Sequence, residues 1–289
     1  MGVVLWMMGA LFSFCLMAVG ARELSGEIDT FQTLFFRSLI GLIFITLIIY
    51  STGRVALFST RRGALHIGRN LFHFGGQYGW FTGIGLLPLA EVFALEFTVP
   101  IWTLLFAALF LKEGLTAKKI LAILFGIAGV LVIVRPGSEI FDLASLIVIA
   151  AAICYSVAHV STKALSNTDH PLTVLFYMCL VQLPVGLLLS LSSWRLPDPL
   201  QWLWLLLVGI TALTAHYCIT RAMQLSEAGI VVTLDFLRLP LIAVVGVLFY
   251  HEAFDVALML GAGLMLLGNL LNVYQQKADA PRILRGGQD

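Results

Sequence analysis

The stretch Glu96-Phe97-Thr98-Val99-Pro100 returns, altered, as Asp235-Phe236-Leu237-Arg238-Leu239-Pro240, 139 residues further on. Each copy sets one carboxylate inside an apolar run, just ahead of a proline. The same offset brings Glu252 onto Glu113, Phe249 onto Phe110, Gly268 onto Gly129 and Tyr217 onto Tyr78. Nearer the start of each half the offset is 141, which brings Leu165-Ser166 onto Leu24-Ser25, Lys163 onto Arg22 and Tyr155 onto Phe14. Polar matches set among greasy segments are hard to obtain by chance, so the chain reads as one unit written twice. Pro100 and Pro240, 140 apart, are out of step by one residue.

Hydrophobic residues make up 60% of the chain and charged residues 11%. Working outward from the repeated stretch gives ten apolar runs, each about the length that crosses a ~30 Å hydrocarbon core. They are Val3–Ala21, Phe31–Tyr50, Ala64–Leu86, Leu89–Leu111, Lys118–Val134, Leu143–Ala164, Leu172–Ser192, Gln201–Met223, Ile230–Tyr250 and Val256–Tyr274. A five-helix unit crosses an odd number of times, so its tandem copy enters from the other side. The expectation is an all-α membrane protein with ten transmembrane helices in two inverted five-helix repeats around a central cavity. The first repeat spans 1–137 and the second 138–275, followed by a short cytoplasmic tail, 276–289.

Basic residues give the orientation, because cytoplasmic loops are enriched in Lys and Arg. With the N-terminus inside, eleven fall inside and only Arg22, Arg135 and Arg195 outside. Both termini are therefore expected in the cytoplasm of a multi-pass inner-membrane protein. The first run has no basic stretch before it and no small-residue cleavage site, so it reads as a retained helix. Net charge is +1, which offers nothing to nucleic acid. Cys15, Cys154, Cys179 and Cys218 lie in apolar runs and read as core residues. No phosphate-cradling loop, nucleophile elbow or zinc spacing is present, so no enzyme chemistry, metal or cofactor is expected.

The stretch Pro100 to Glu113, then Leu121 to Gly129 and Val134-Arg135-Pro136-Gly137, resembles the EamA repeat of the drug/metabolite transporter superfamily. Pro240 to Glu252 and on to Gly268 is a weaker match of the same kind, and Phe36-Arg37-Ser38 is also similar to that family. The resemblance covers the whole chain. It implies a ten-helix basket and carrier-type transport of small metabolites. The Arg-Pro-Gly ending and the region from Arg69 to Glu91 look most like the S-adenosylmethionine-uptake branch. Glu96 departs from the pattern, since the family usually carries an apolar or small residue there.

Ionisable residues at membrane depth are candidate functional residues by default. Glu96 and Arg37 lie at similar depth from one edge, and Asp235 and Arg69 from the other. The expected pairs are Glu96 with Arg37, and Asp235 with Arg69 or with Arg238 three residues along its own helix. Residues with a repeat counterpart are assigned to the transport mechanism. Residues whose counterpart differs in chemistry, Arg238 on Val99 and His216 on Gln77, are assigned to substrate selection. Tyr78, Trp80, Trp102, Tyr217 and Phe236 are candidate cavity aromatics for a cation or planar ring. His73 and His159 read as packing residues, and Glu113 and Glu252 as helix-end chemistry. Pro100 and Pro240 are expected to kink the fourth and ninth helices. Gly126 and Gly129, with Gly261, Gly263 and Gly268, allow close helix packing.

The function expected is a secondary transporter moving a small polar metabolite by alternating access. Its substrate would be amino-acid-like, zwitterionic or cationic, with S-adenosylmethionine as one such molecule. A proton or substrate gradient would drive it, with the lipid bilayer as its surroundings. A non-transporting membrane scaffold or sensor is the alternative, and an embedded enzyme a third.

Overall fold

The computed structural model describes residues 2–110, 117–134, 143–226, 231, 234–235, 237–253, 255–268 and 270. The described residues are nearly all helical, with no strand among them. In a bilayer this follows from backbone chemistry, because a helix satisfies its own N–H and C=O groups. The first half contributes α1 (Gly2–Leu24), α2 (Thr30–Ser51), α3 (Gly63–Leu86), α4 (Leu89–Glu96), α5 (Val99–Phe110) and α6 (Ala117–Val134). The second contributes α7 (Leu143–Ser166), α8 (Pro171–Ser190), α9 (Pro199–Leu225) and α10 (Arg238–Tyr250), then a last apolar helix, Val256–Gly268. Five helices, α1, α2, α7, α8 and α9, are long and apolar enough to cross a membrane by themselves.

Helix starts follow local chemistry. Asp29 accepts from the backbone N–H of Phe31 and Gln32 and so begins α2. Asp198 and Gln201 form a reciprocal capping box at α9, with Pro199 at its first position. Asp255 accepts from the N–H of Ala257 at the start of the last helix.

The fourth run breaks. Its expected single helix, Leu89–Leu111, is two helices, α4 and α5, separated at Phe97-Thr98. Pro100 has no N–H to give the Glu96 carbonyl, so the ladder cannot continue. The turn closes tightly instead: the Phe97 N–H bonds Phe93 O at 3.1 Å, and the Thr98 N–H bonds Leu95 O at 3.1 Å. The Thr98 hydroxyl also donates to Leu95 O, at 2.8 Å. In the second half α10 begins at Arg238, the repeat counterpart of Val99, where α5 begins.

The helices pair across the halves. α1 lies along α9, α3 along α7, and α2 along α8. Exchanging the two halves turns the first pairing into the second and the third into itself, as a two-fold relation between repeats requires. Small residues permit the approach. A side chain at Gly79 of α3 would come within 2.9 Å of the Ile147 carbonyl on α7, and one at Gly129 of α6 within 2.6 Å of the Gly261 carbonyl. By contrast, Gly263 faces open space.

The polarity pattern is that of a membrane protein. Leu47, Leu188 and Leu248 are exposed on the outside, while Gln32, Asn70, Ser156 and Gln182 are fully buried within the bundle.

Candidate functional site

Three charged side chains meet between the halves. Arg238, first residue of α10 and 3% exposed, uses one nitrogen, Nη2, for two carboxylates. It donates to Glu96 Oε1 at 3.2 Å and to Asp235 Oδ2 at 2.5 Å. The second oxygen of Glu96 accepts from Trp80 Nε1 at 2.9 Å. The break in the fourth run places Glu96 at the last position of α4. A helix C-terminus disfavours a carboxylate, and the guanidinium offsets this. The Arg238 guanidinium also lies over the rings of Phe14, at 4.4 Å, and Phe93, at 5.2 Å. Nε and Nη1 of Arg238 and Oδ1 of Asp235 make no hydrogen bond among the described residues.

This triad forms part of the lining of a cavity that also takes in Phe14, Met17, His73, Gln77, Trp80, Tyr155, His159, His216 and Ile219. Eight of the twelve lining residues fall into four repeat-equivalent pairs: Phe14 with Tyr155, Gln77 with His216, Trp80 with Ile219, and Glu96 with Asp235. The pairs differ in chemistry within a shared position, so the cavity is symmetric in placement and asymmetric in what it offers. The imidazoles of His73 and His216 lie edge to face at 4.8 Å, and the rings of Phe14 and His216 do so at 5.6 Å.

Several expectations change. Glu96 pairs with Arg238 and not with Arg37, because α2 packs against α8 and α9 and leaves Arg37 away from α4. Asp235 takes Arg238, and no carboxylate among the described residues pairs with Arg69. Instead Arg69 is 4% exposed and donates from Nε to Thr162 Oγ1 at 3.0 Å and from Nη1 to Asn70 Oδ1 at 2.5 Å. It does not reach for the membrane surface. Tyr78 points away from the cavity and stacks on Phe31 at 4.3 Å, since one residue beyond Gln77 turns about 100° round the helix. Tyr217 meets Trp6 edge-on at 5.7 Å. Trp102 donates to the Thr98 hydroxyl at 3.1 Å, outside the cavity lining. Phe236, Glu113 and the Arg135-Pro136-Gly137 ending lie outside the described residues, and Pro240 is the third residue of α10. His73 and His159, expected as packing residues, line the cavity. Tyr155 was discernible only through its repeat match to Phe14.

Glu252 does more than end a helix. Its carboxylate accepts from the Leu89 N–H at 3.0 Å and from Arg22 Nη2 at 3.0 Å. Arg22 also donates to Leu87 O at 2.6 Å. The end of α1, the start of α4 and the end of α10 are thereby joined. At the other end of α3, Asp169 accepts from Thr60 Oγ1 at 2.7 Å, and its Oδ2 lies 2.7 Å from His66 Nε2. Burial pushes the Asp169 carboxyl up, but the hydrogen bonds from His66 and Thr60 outweigh it and hold the group below its ordinary 3.8. Among the described residues no group of three His, Cys, Asp or Glu could hold a metal ion.

Comparison with known proteins agrees with this architecture. The S-adenosylmethionine uptake transporter of Rickettsia bellii (strain RML369-C) is 23% identical over 94% of this chain and 93% of its own length. The riboflavin transporter of Brucella anthropi is 29% identical over 81% of this chain and 86% of its own. The pseudopaline exporter of Pseudomonas aeruginosa (strain UCBPP-PA14) is 29% identical over 89% of this chain and 90% of its own. A solved crystal structure shares the fold with a TM-score of 0.69, covering 96% of this chain and 98% of that one at 21% identity. The EamA-like transporter family model matches residues 1–135 and again 142–274, so the chain belongs to the EamA-like transporter family.

Proposed function

We propose that this protein is a secondary carrier that moves a small polar metabolite across the cell's inner membrane by alternating access. The observation that carries this reading is the cavity between the halves, where two repeat-equivalent carboxylates, Glu96 and Asp235, share one buried Arg238. Each half owns one acid, so rocking one repeat against the other changes how the two acids share the arginine. A cationic or protonated group on the cargo, or a proton, would compete with Arg238 for them.

The relatives transport small metabolites, in both directions by their names, which favours a carrier over a scaffold, a sensor or an embedded enzyme. The cargo class we favour is amino-acid-like and zwitterionic or cationic. S-adenosylmethionine fits, with its amino group, sulfonium and planar ring. The cavity offers two carboxylates and the aromatic faces of Trp80, Tyr155 and Phe14. The basic-residue count supports a cytoplasmic position for both termini.

The test is uptake into sealed proteoliposomes, with amino acids, polyamines, S-adenosylmethionine and riboflavin as cargoes and an imposed pH gradient as drive. Accumulation of one of them supports the carrier. Binding without accumulation of any would favour a sensor.

A further inference from the structure

Arg238 is engaged by two carboxylates, but a second guanidinium beside the same cavity is engaged by none among the described residues. Arg37 lies eight residues into α2, 2% exposed. No carboxylate among the described residues forms an ion pair with it. Its neighbours are neutral amides. Gln182 Oε1 stands 3.5 Å from Nη1. With the Gln77 amide turned to satisfy its surroundings, its oxygen accepts from Nη1 and Nη2 at 2.7 Å each. The Nε of Arg37 makes no hydrogen bond among the described residues.

Burying a guanidinium without a counter-charge costs several kcal/mol, and a bilayer makes such residues rare outside functional sites. Helix pairing does not require it. The repeat counterpart of Arg37 is Met178, buried at the equivalent place on α8. Gln77 both lines the central cavity and bonds the Arg37 fork, so its flexible side chain stands between the two. The amide oxygen on Arg37 occupies the position that one oxygen of a carboxylate would take, and a planar fork receives both oxygens of a carboxylate at once.

We propose that Arg37 is an anion subsite of the cavity, with Gln77 as the group displaced on binding, and that the cargo carries a carboxylate. This rests on the carrier reading above and adds a direction to it. The cationic end of the cargo goes to Glu96 and Asp235, and the anionic end goes to Arg37. Arg238 stays the fixed counter-ion of the two acids. A carboxylate delivered to Arg238 would have to displace one of them, whereas at Arg37 it meets no carboxylate among the described residues.

Thermal unfolding of the purified full-length protein tests this with acetate as the probe. Sodium acetate should raise the unfolding temperature in a concentration-dependent way relative to sodium chloride at equal ionic strength, and acetamide should not. In Arg37→Met and Arg37→Gln the acetate effect should vanish, and each variant without acetate should unfold no lower than the parent. No acetate effect, an equal effect of acetamide, or an effect that survives both substitutions overturns the proposal. Loss of folded protein in both variants also overturns it, by assigning the guanidinium to helix packing. An acetate response with no cargo accumulated in proteoliposomes would count against the carrier reading alone.

Discussion

Arg238 and Glu96 lie 142 residues apart in sequence and 3.2 Å apart in space, across the junction of the two repeats. Arg238 stands where the first repeat has Val99, so one half supplies a cation that the other lacks. That single substitution between copies turns two repelling acids into a neutralisable triad. It also stations an arginine at the first turn of α10, where the helix dipole disfavours it and two carboxylates compensate.

Neutralising either acid should leave a folded protein that transports poorly. In Glu96→Gln, Arg238 keeps Asp235, and in Asp235→Asn it keeps Glu96. Neither variant strands the arginine, so expression and monodispersity should stay near those of the parent. Uptake should fall at least about tenfold, the rate equivalent of ~1.4 kcal/mol. Normal uptake in both variants would remove these acids from the mechanism.

Removing the arginine should behave differently. Arg238→Met leaves two carboxylates buried together without a cation, a loss on the order of 3–5 kcal/mol for a broken buried pair. Thermal unfolding should show a large drop. Adding Glu96→Gln and Asp235→Asn to Arg238→Met should recover most of the stability, because the charges then leave together. A triple variant no better than Arg238→Met would refute the pairing.

Asp169 ties the turn between α7 and α8 to Thr60 and His66, and Asp169→Asn should cost about 1–3 kcal/mol, the range for unsatisfying a buried polar group. The folded carboxyl lies below its ordinary 3.8, so the native state favours the ionised form. Its contribution is present above 3.8 and is lost as pH falls through the folded value. The gap in stability between parent and Asp169→Asn should therefore persist from neutral pH to about pH 5 and close only in stronger acid. Closure between pH 7 and 5 would contradict the assignment.

Topology can be read with a periplasm-active reporter. Fused at Gln276 it should be silent, and at Gly137 active, if both termini are cytoplasmic. The reverse pattern would invert the protein and exchange the sides assigned to the Arg22–Glu252 link and the Asp169 turn.

Much of the fold was legible in the chain because bilayers impose long apolar runs, and every one of the ten runs carries helix. The acids Glu96 and Asp235 were legible through polar coincidences in the repeat. Their partner was not. Depth along a helix follows from residue number, so Arg37 and Glu96 look matched. Whether they touch depends on which helices are neighbours, and α2 chose α8 and α9. Of the aromatic candidates, Trp80 lines the cavity, while Tyr78, Tyr217 and Trp102 fall outside its lining for a related reason. Gln77 and Tyr78 are adjacent in sequence, yet one faces the cavity and the other stacks on Phe31. The tight turn at Phe97-Thr98 was half legible: Pro100 announces an interruption, but a bent helix and a broken one read alike.

By itself, then, the sequence determined class, number of apolar runs, internal duplication and the presence of buried charge. These depend on local composition and on register, which one dimension holds. Tertiary structure decided the pairing of Arg238 with both acids, the four repeat-equivalent pairs around the cavity, and the isolation of Arg37 among neutral amides. Those depend on helix rotation and neighbour choice. Both are set by close packing of small residues such as Gly79 against Ile147 and Ala151, a short-range steric fit between segments distant in the chain.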